Sequence, residues 1–302
     1  MKLLDLGLYH SFFGGRLIDL KADGTQDTCS VLPGFPGYLS PSAVAVYDSR
    51  PFVCAGLPTP KCQHYSSIFK RWMPYGQMLV QRDRSASVDL GGGKLWITGG
   101  SRLGVAQSST EIFKGGVSSP GPDLPVACSG HCLVNLDDDR VFMVCEEKAF
   151  LYHRDTGLWT RLPDLRAPRF NMGCSTMGVD NKSKVLVHGG SSEDGEIFDL
   201  GTNEWLPGPE NESKFFSLTY RTWLVPYGET VLLIQGGDDE KTRTEVKRYD
   251  PKSNRFEAFV TAGKVLGANV VVLAREAEID CGDGRGLSEE EIQLAEMDAR
   301  LS

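Results

Sequence analysis

Apolar residues along this chain fall in short runs that end on glycine. "LWITGG" ends at Gly100, "VLVHGG" at Gly190 and "LLIQGG" at Gly237. "FVCAG" ends at Gly56 and "SFFGG" at Gly15, while in "VFMVCE" Cys145 and Glu146 stand at the glycine positions. The six copies are separated by 41, 44, 46, 44 and 47 residues. Short apolar runs bounded by turn residues read as strands, and a repeat of this period marks a repeat architecture.

A second landmark follows the glycines. Tyr65 precedes Trp72, Tyr152 precedes Trp159, Phe198 precedes Trp205 and Tyr249 precedes Phe256, each by seven residues. Between them stand turn-forming segments such as "RDTG" and "DPKSN", so each pair predicts a hairpin. Leu-Pro pairs at 32–33, 124–125, 162–163 and 206–207 close the second strand, because proline cannot donate to a continuing ladder. A further apolar segment precedes the glycines: "ASVDL", "HCLVNL", "GCSTMGV" and "SLTYRTWLV".

Each unit therefore holds about four short strands, the make-up of a propeller blade. The expected fold is all-β, a six-bladed β-propeller over residues 1–274, with Trp159 and Trp205 filling blade cores. "GANVVVLA" (267–274) reads as an innermost strand that completes the first blade and closes the ring. Residues 275–302 differ. "DCGDGRG" is a Gly-rich linker, and "LSEEEIQLAEMDARLS" carries helix signals. Ser288 with Glu291 fits a capping box and Leu287 with Ile292 a hydrophobic staple, predicting a short acidic amphipathic helix over about 289–300.

Composition narrows the function. The chain has 302 residues, of which 40% are hydrophobic and 24% charged, with a net charge of −8. No Lys/Arg cluster interrupts the acidic balance, which argues against nucleic acid and anionic membrane surfaces. No apolar run of about 18 residues predicts a membrane span. The N-terminal "MKLLDLGLYHSFFGG" does not read as a signal peptide, being broken by Asp5, Gly7 and His10.

The glycine pair ending an apolar strand, the downstream Tyr/Phe-Asp and the Trp at fixed spacing resemble the kelch repeat. The first, third and fourth copies depart from it: the first lacks the aromatic spacing, the third has Phe113 but no Trp, and the fourth lacks glycines. Arg84 and Arg169, each just before a strand, resemble an arginine of that repeat. "VCAGLPTPKCQHY", "STEIF" and "GPDLP…GHCLVNLDDDRVFMV" are similar to invertebrate secreted kelch proteins of the galactose-oxidase-like propeller type. That resemblance implies a Cys54–Cys62 disulfide, whose hairpin separation also suits one. Cys132 and Cys145, on adjacent strands, form a second candidate pair.

Cys128, His131 and Cys132 cluster, but zinc-ligand pairs of the CxxC type are lacking and neighbours on a strand face opposite ways, so no metal is expected. An EF-hand loop from Asp280 fails because Arg285 takes the glycine position. The histidines at 10, 64, 131, 153 and 188 form no copper constellation in sequence, and no cofactor is expected. Sequons at Asn181 and Asn211 mark candidate glycosylation sites in loops.

The expected function is non-catalytic recognition of a partner protein or glycan by a monomeric extracellular propeller. The alternatives are a cytoplasmic kelch adaptor and a sugar-active propeller enzyme. Loops joining second to third strands (57–61, 101–109, 191–195, 238–243) and those joining blades (76–84, 126–130, 166–170) should gather at one mouth. Arg84, Arg102, Arg169 and Arg243 on these loops are the candidate contacts.

Overall fold

The structure, a computed structural model, describes residues 2–5, 15–20, 26–32, 41–47, 50–55, 59–66, 69, 71–178, 182–190, 194–210, 222–235, 245–261 and 270–273. Strands before residue 41 and after residue 261 are described by their backbone alone. Three strands open the chain: β1 (Lys2–Asp5), β2 (Gly15–Leu20) and β3 (Gln26–Leu32). Blade I is β4 (Pro41–Tyr47), β5 (Arg50–Ala55), β6 (Lys61–Ser66) and β7 (Arg71–Gln77). Blade II begins with β8 (Ala86–Asp89) and β9 (Leu95–Thr98). It then throws out a small hairpin, β10 (Ser101–Arg102) and β11 (Val105–Ala106), before β12 (Thr110–Lys114) and β13 (Val117–Pro120).

Blade III is β14 (Cys132–Asn135), β15 (Arg140–Cys145), β16 (Lys148–His153) and β17 (Leu158–Arg161). Blade IV is β18 (Gly173–Thr176), β19 (Lys184–His188), β20 (Glu196–Asp199) and β21 (Glu204–Pro207). Blade V is β22 (Trp223–Tyr227), β23 (Thr230–Gln235), β24 (Glu245–Asp250) and β25 (Arg255–Thr261). The last strand is β26 (Val270–Leu273). Strands pair antiparallel, the innermost strands β4, β8, β14, β18 and β22 are neighbours in that order, and β26 runs beside β4. The fold is an all-β propeller, with no helix among the described residues.

Five blades of contiguous chain are one fewer than the six glycine copies predict. Among the described residues, the segment holding "SFFGG" supplies β1, β2 and β3, one short of a four-stranded blade. These strands join β26 in a sheet of order β26-β1-β2-β3, with Lys2 opposite Leu273 and Asp5 opposite Val270. The expected helix over 289–300 lies outside the described residues.

The continuous apolar runs follow from burial on both faces, which removes the alternation of a half-exposed strand. Leu95 and Ile97 of β9 pack towards blade I with Phe52, Cys54 and Phe113. Trp96, between them, turns to Val141 and Tyr152 of blade III. Phe142 and Val144 of β15 meet Val185, Val187 and Phe198 of blade IV. Leu186 and Ile197 then meet Leu224, Leu233 and Tyr249 of blade V. The core is thus a series of blade-to-blade layers, while the outermost strands β13, β17 and β21 stay largely exposed.

Trp159 and Trp205 do not fill blade cores as expected. Both are half-buried at the seam with the preceding blade, where their indole N–H groups donate to Asp123 O (3.0 Å) and Pro163 O (2.8 Å). Lying on outer strands, they can only cover a seam. The fully buried indole is Trp96, on a second strand.

Candidate interaction site at the propeller mouth

The glycine pairs are where the second strands run into the connections between blades. Gly99 (φ 54°) and Gly100 (φ 87°) are both left-handed, a conformation a Cβ disfavours. A Cβ on Gly99 would lie 2.6 Å from Cys128 O, and one on Gly100 2.5 Å from Asp83 O. The pair is wedged between the entries to the next blade and to its own. Gly189 and Gly190 are held in the same way by Thr222 and Phe170.

Those entries are tied to each other. Gly130 N–H donates to Arg84 O (2.9 Å), Asn171 N–H to Gly130 O (3.0 Å) and Thr222 N–H to Asn171 O (3.1 Å). Arg84 (φ 49°), Gly130 (φ 67°) and Asn171 (φ 59°) share the left-handed conformation. They form a collar of backbone hydrogen bonds running from blade II to blade V. Glycine and asparagine are the inexpensive residues for such a position, and arginine is not.

A buried ion pair fixes each of two entry loops. Arg82 and Glu111 are fully buried and 2.9 Å apart. Glu111 also accepts from the backbone N–H groups of Leu79 (2.6 Å) and Val80 (2.9 Å), while Arg82 donates to Gly99 O (2.7 Å). Arg169 and Glu196 repeat this in blade IV at 3.0 Å, with Gly189 O and the Arg166 N–H as the further partners. Burial lowers the Arg169 pKa, and Glu196 opposes that shift. Truncating one member of such a pair leaves an uncompensated buried charge and costs about 3–5 kcal/mol.

Arg169 is therefore a structural residue, only 1% exposed, and not the surface contact its loop position suggested. Its counterpart in blade II is Arg82, not Arg84. Arg82, Cys128 and Arg169 each stand four residues before the innermost strand of their blade. That register was the signal available in the sequence. Arg84 and Arg102 are exposed on the mouth loops. Arg243, Asn181 and Asn211 lie outside the described residues.

Cys54 and Cys62 are direct cross-strand partners joined as a disulfide, with Cα atoms 4.0 Å apart. The expected Cys132–Cys145 pairing is replaced. Cys132 lies opposite Val144, so Cys145, one residue on, points to the other face of the sheet. Cys145 bonds instead to Cys128 (Cα–Cα 6.0 Å), and Cys132 crosses to Cys174 of blade IV (5.9 Å). In blade III, where Cys145 takes a glycine position and Cys128 the arginine position, a covalent bond stands in for the arginine-to-glycine hydrogen bond.

The described histidines are scattered. His64 lies in blade I against Tyr75, His131 meets Thr98 (2.7 Å), His153 meets Thr160 (3.0 Å) and His188 is buried in blade IV. Among the described residues, no group of three or more His, Cys, Asp or Glu side chains could hold a metal ion. No helix among them is long and apolar enough to cross a membrane. No protein-family model matches the chain, and no curated protein does.

Proposed function

We propose that this protein is a non-catalytic interaction propeller of kelch type, which recognises a partner protein through the loops at the collar mouth. The observation that carries this reading is Arg84. It is exposed and left-handed at a collar position where the sister blades place Gly130 and Asn171. A strained residue held by a well-packed surround points to function, because folding alone favours its replacement. Arg102 stands on the adjoining loop, and Arg243 joins them by its position in the sequence. Loops on a rigid scaffold are where binding residues concentrate.

The glycine pairs and the Tyr/Phe-to-Trp spacing support the kelch assignment. Pairing of Val270–Leu273 with Lys2–Asp5, with β26 lying beside β4, supports a propeller whose first and last described strands share one sheet. Three disulfides support an oxidising, extracellular compartment, in which Asn181 and Asn211 would be glycosylated.

Arg84→Asn tests the mouth. Asparagine suits the left-handed backbone, so the melting curve should be unchanged or shifted upward. Affinity for a partner isolated with the wild-type protein should fall about tenfold, the cost of losing one charged contact. Unchanged affinity would remove Arg84 from the site.

A further inference from the structure

The hairpin β10–β11 stands out among the described mouth loops as a two-stranded projection. Its sequence, "SRLGVA", turns at Leu103 (φ 53°) and Gly104 (φ 81°), both left-handed, as a tight two-residue hairpin requires. Asparagine or aspartate followed by glycine is the usual solution. A leucine there bears the strain of a branched side chain in the left-handed region and, at 87% exposed, recovers none of it by burial. Val105 beside it is 64% exposed.

The base of this hairpin is held on both sides. Asp83 and Ser101 exchange two backbone hydrogen bonds (2.9 and 2.7 Å), and Gln107 and Cys128 are bridged on the other flank. Gln107 N–H also donates to Gly100 O (2.8 Å). The tip is thus an aliphatic projection on a pinned stem. On the neighbouring connection Leu79 is a third exposed aliphatic side chain, its backbone held by Glu111. The exposed charges at the stem, Arg84 and Arg102, are both cationic on a chain of net charge −8.

We propose that the Leu103–Val105 tip is a preformed knob that enters an apolar recess of the partner protein, with carboxylates bordering that recess facing Arg84 and Arg102. This rests on the mouth-binding reading and names the partner chemistry it requires. An aliphatic tip selects a protein recess over a glycan, because sugars pack on aromatic rings. A stem already ordered loses little entropy on docking, and burying the exposed leucine side chain contributes roughly 1.5–3 kcal/mol, about ten- to hundredfold in affinity.

The test places a photo-crosslinking amino acid at position 103 and, as control, at the exposed Leu158 on blade III. The full chain is irradiated in the fluid or cells it comes from. A saturable protein adduct specific to position 103, mapping to an apolar segment that contains Asp or Glu, is the expected result. The purified adduct protein is then titrated with wild type, Leu103→Asn, Arg84→Asn and Leu158→Asn. Leu103→Asn should fold with an equal or higher Tm and weaken binding roughly ten- to hundredfold, while Leu158→Asn changes nothing.

Adducts only to lipid, to glycan or to a second copy of the chain would overturn the knob, as would no specific adduct. Equal affinity of Leu103→Asn would also overturn it. If Arg84→Asn weakens binding while Leu103→Asn does not, the mouth reading stands and the knob alone fails. If neither matters, both fail. A Leu103→Asn variant that loses Tm would show the leucine to be structural, and would overturn the proposal too.

Discussion

At the scale of single residues, His188 has the most consequential environment outside the mouth. It ends β19, is fully buried and packs edge-on against Phe256 of blade V at 4.9 Å. Among the described residues neither ring nitrogen finds a hydrogen-bond partner. Burial first, then the charges of Arg169 and Lys247, push its pKa down to about 3. The unfolded chain takes up this proton near pH 6.5, so between about pH 6.5 and 3 it binds more protons than the folded one. The stability contributed by the neutral ring is complete above pH 6.5 and falls as the pH drops. At pH 4.5 the loss is on the order of 2–3 kcal/mol from this group alone. His188→Val, the residue type that Val144 supplies at the matching position of blade III, should flatten the urea-midpoint difference between pH 7 and pH 4.5. An undiminished difference would show that other groups carry it. The sequence shows a histidine within "VLVHGG", but not that Arg169, nineteen residues earlier, and Lys247, in the next blade, would crowd it.

At the scale of elements, blades II, III and IV solve the same problem, which is how to anchor the chain as it enters the innermost strand. Blades II and IV use a buried arginine and glutamate, and blade III uses Cys128–Cys145. The glycine pairs were legible because blades II and IV meet the same left-handed backbone constraint with the same residue, whereas blade III, with Cys145 and Glu146 (φ 55°), shows that the constraint can be met otherwise. The anchors were not, because ion pair and disulfide do one job with different chemistry. Arg84 resembles the repeat arginine in sequence, although Arg82 takes that place in blade II. The Cys132–Cys145 expectation failed on a one-residue register, which fixes the face a side chain points to. The disulfide closes a sequence separation of 17 residues, for which chain entropy gives about 3 kcal/mol. The double variant Cys128→Ala, Cys145→Ala should therefore lose about 2–4 kcal/mol in chemical denaturation. An unchanged midpoint would mean that the packing of Met143 and Phe150 with Leu124 holds the entry by itself.

At the scale of the whole molecule, stability rests on layers between blades, so each blade depends on its neighbours and an open end is costly. Repeat arrays of this kind need either capped termini or closure. Here β26 pairs with β1, far away in sequence, and the composite sheet takes the place of a cap. The apolar run of "GANVVVLA" marks this strand in the sequence. Deleting residues 262–302 leaves β1 with an unpaired edge and strips the neighbour from β4. The truncated chain should lose its single cooperative transition, melt first at blade I, and self-associate through the bare edge. Calorimetry with sedimentation reads all three effects. One unchanged transition in a monomer would show that blades I to V are self-sufficient, and the collar would then owe its rigidity to the anchors of blades II to IV rather than to the β26–β1 sheet. Loss of cooperativity would instead make the mouth geometry at Arg84 and Leu103 depend on that sheet, so that partner binding and the β26–β1 pairing fail together.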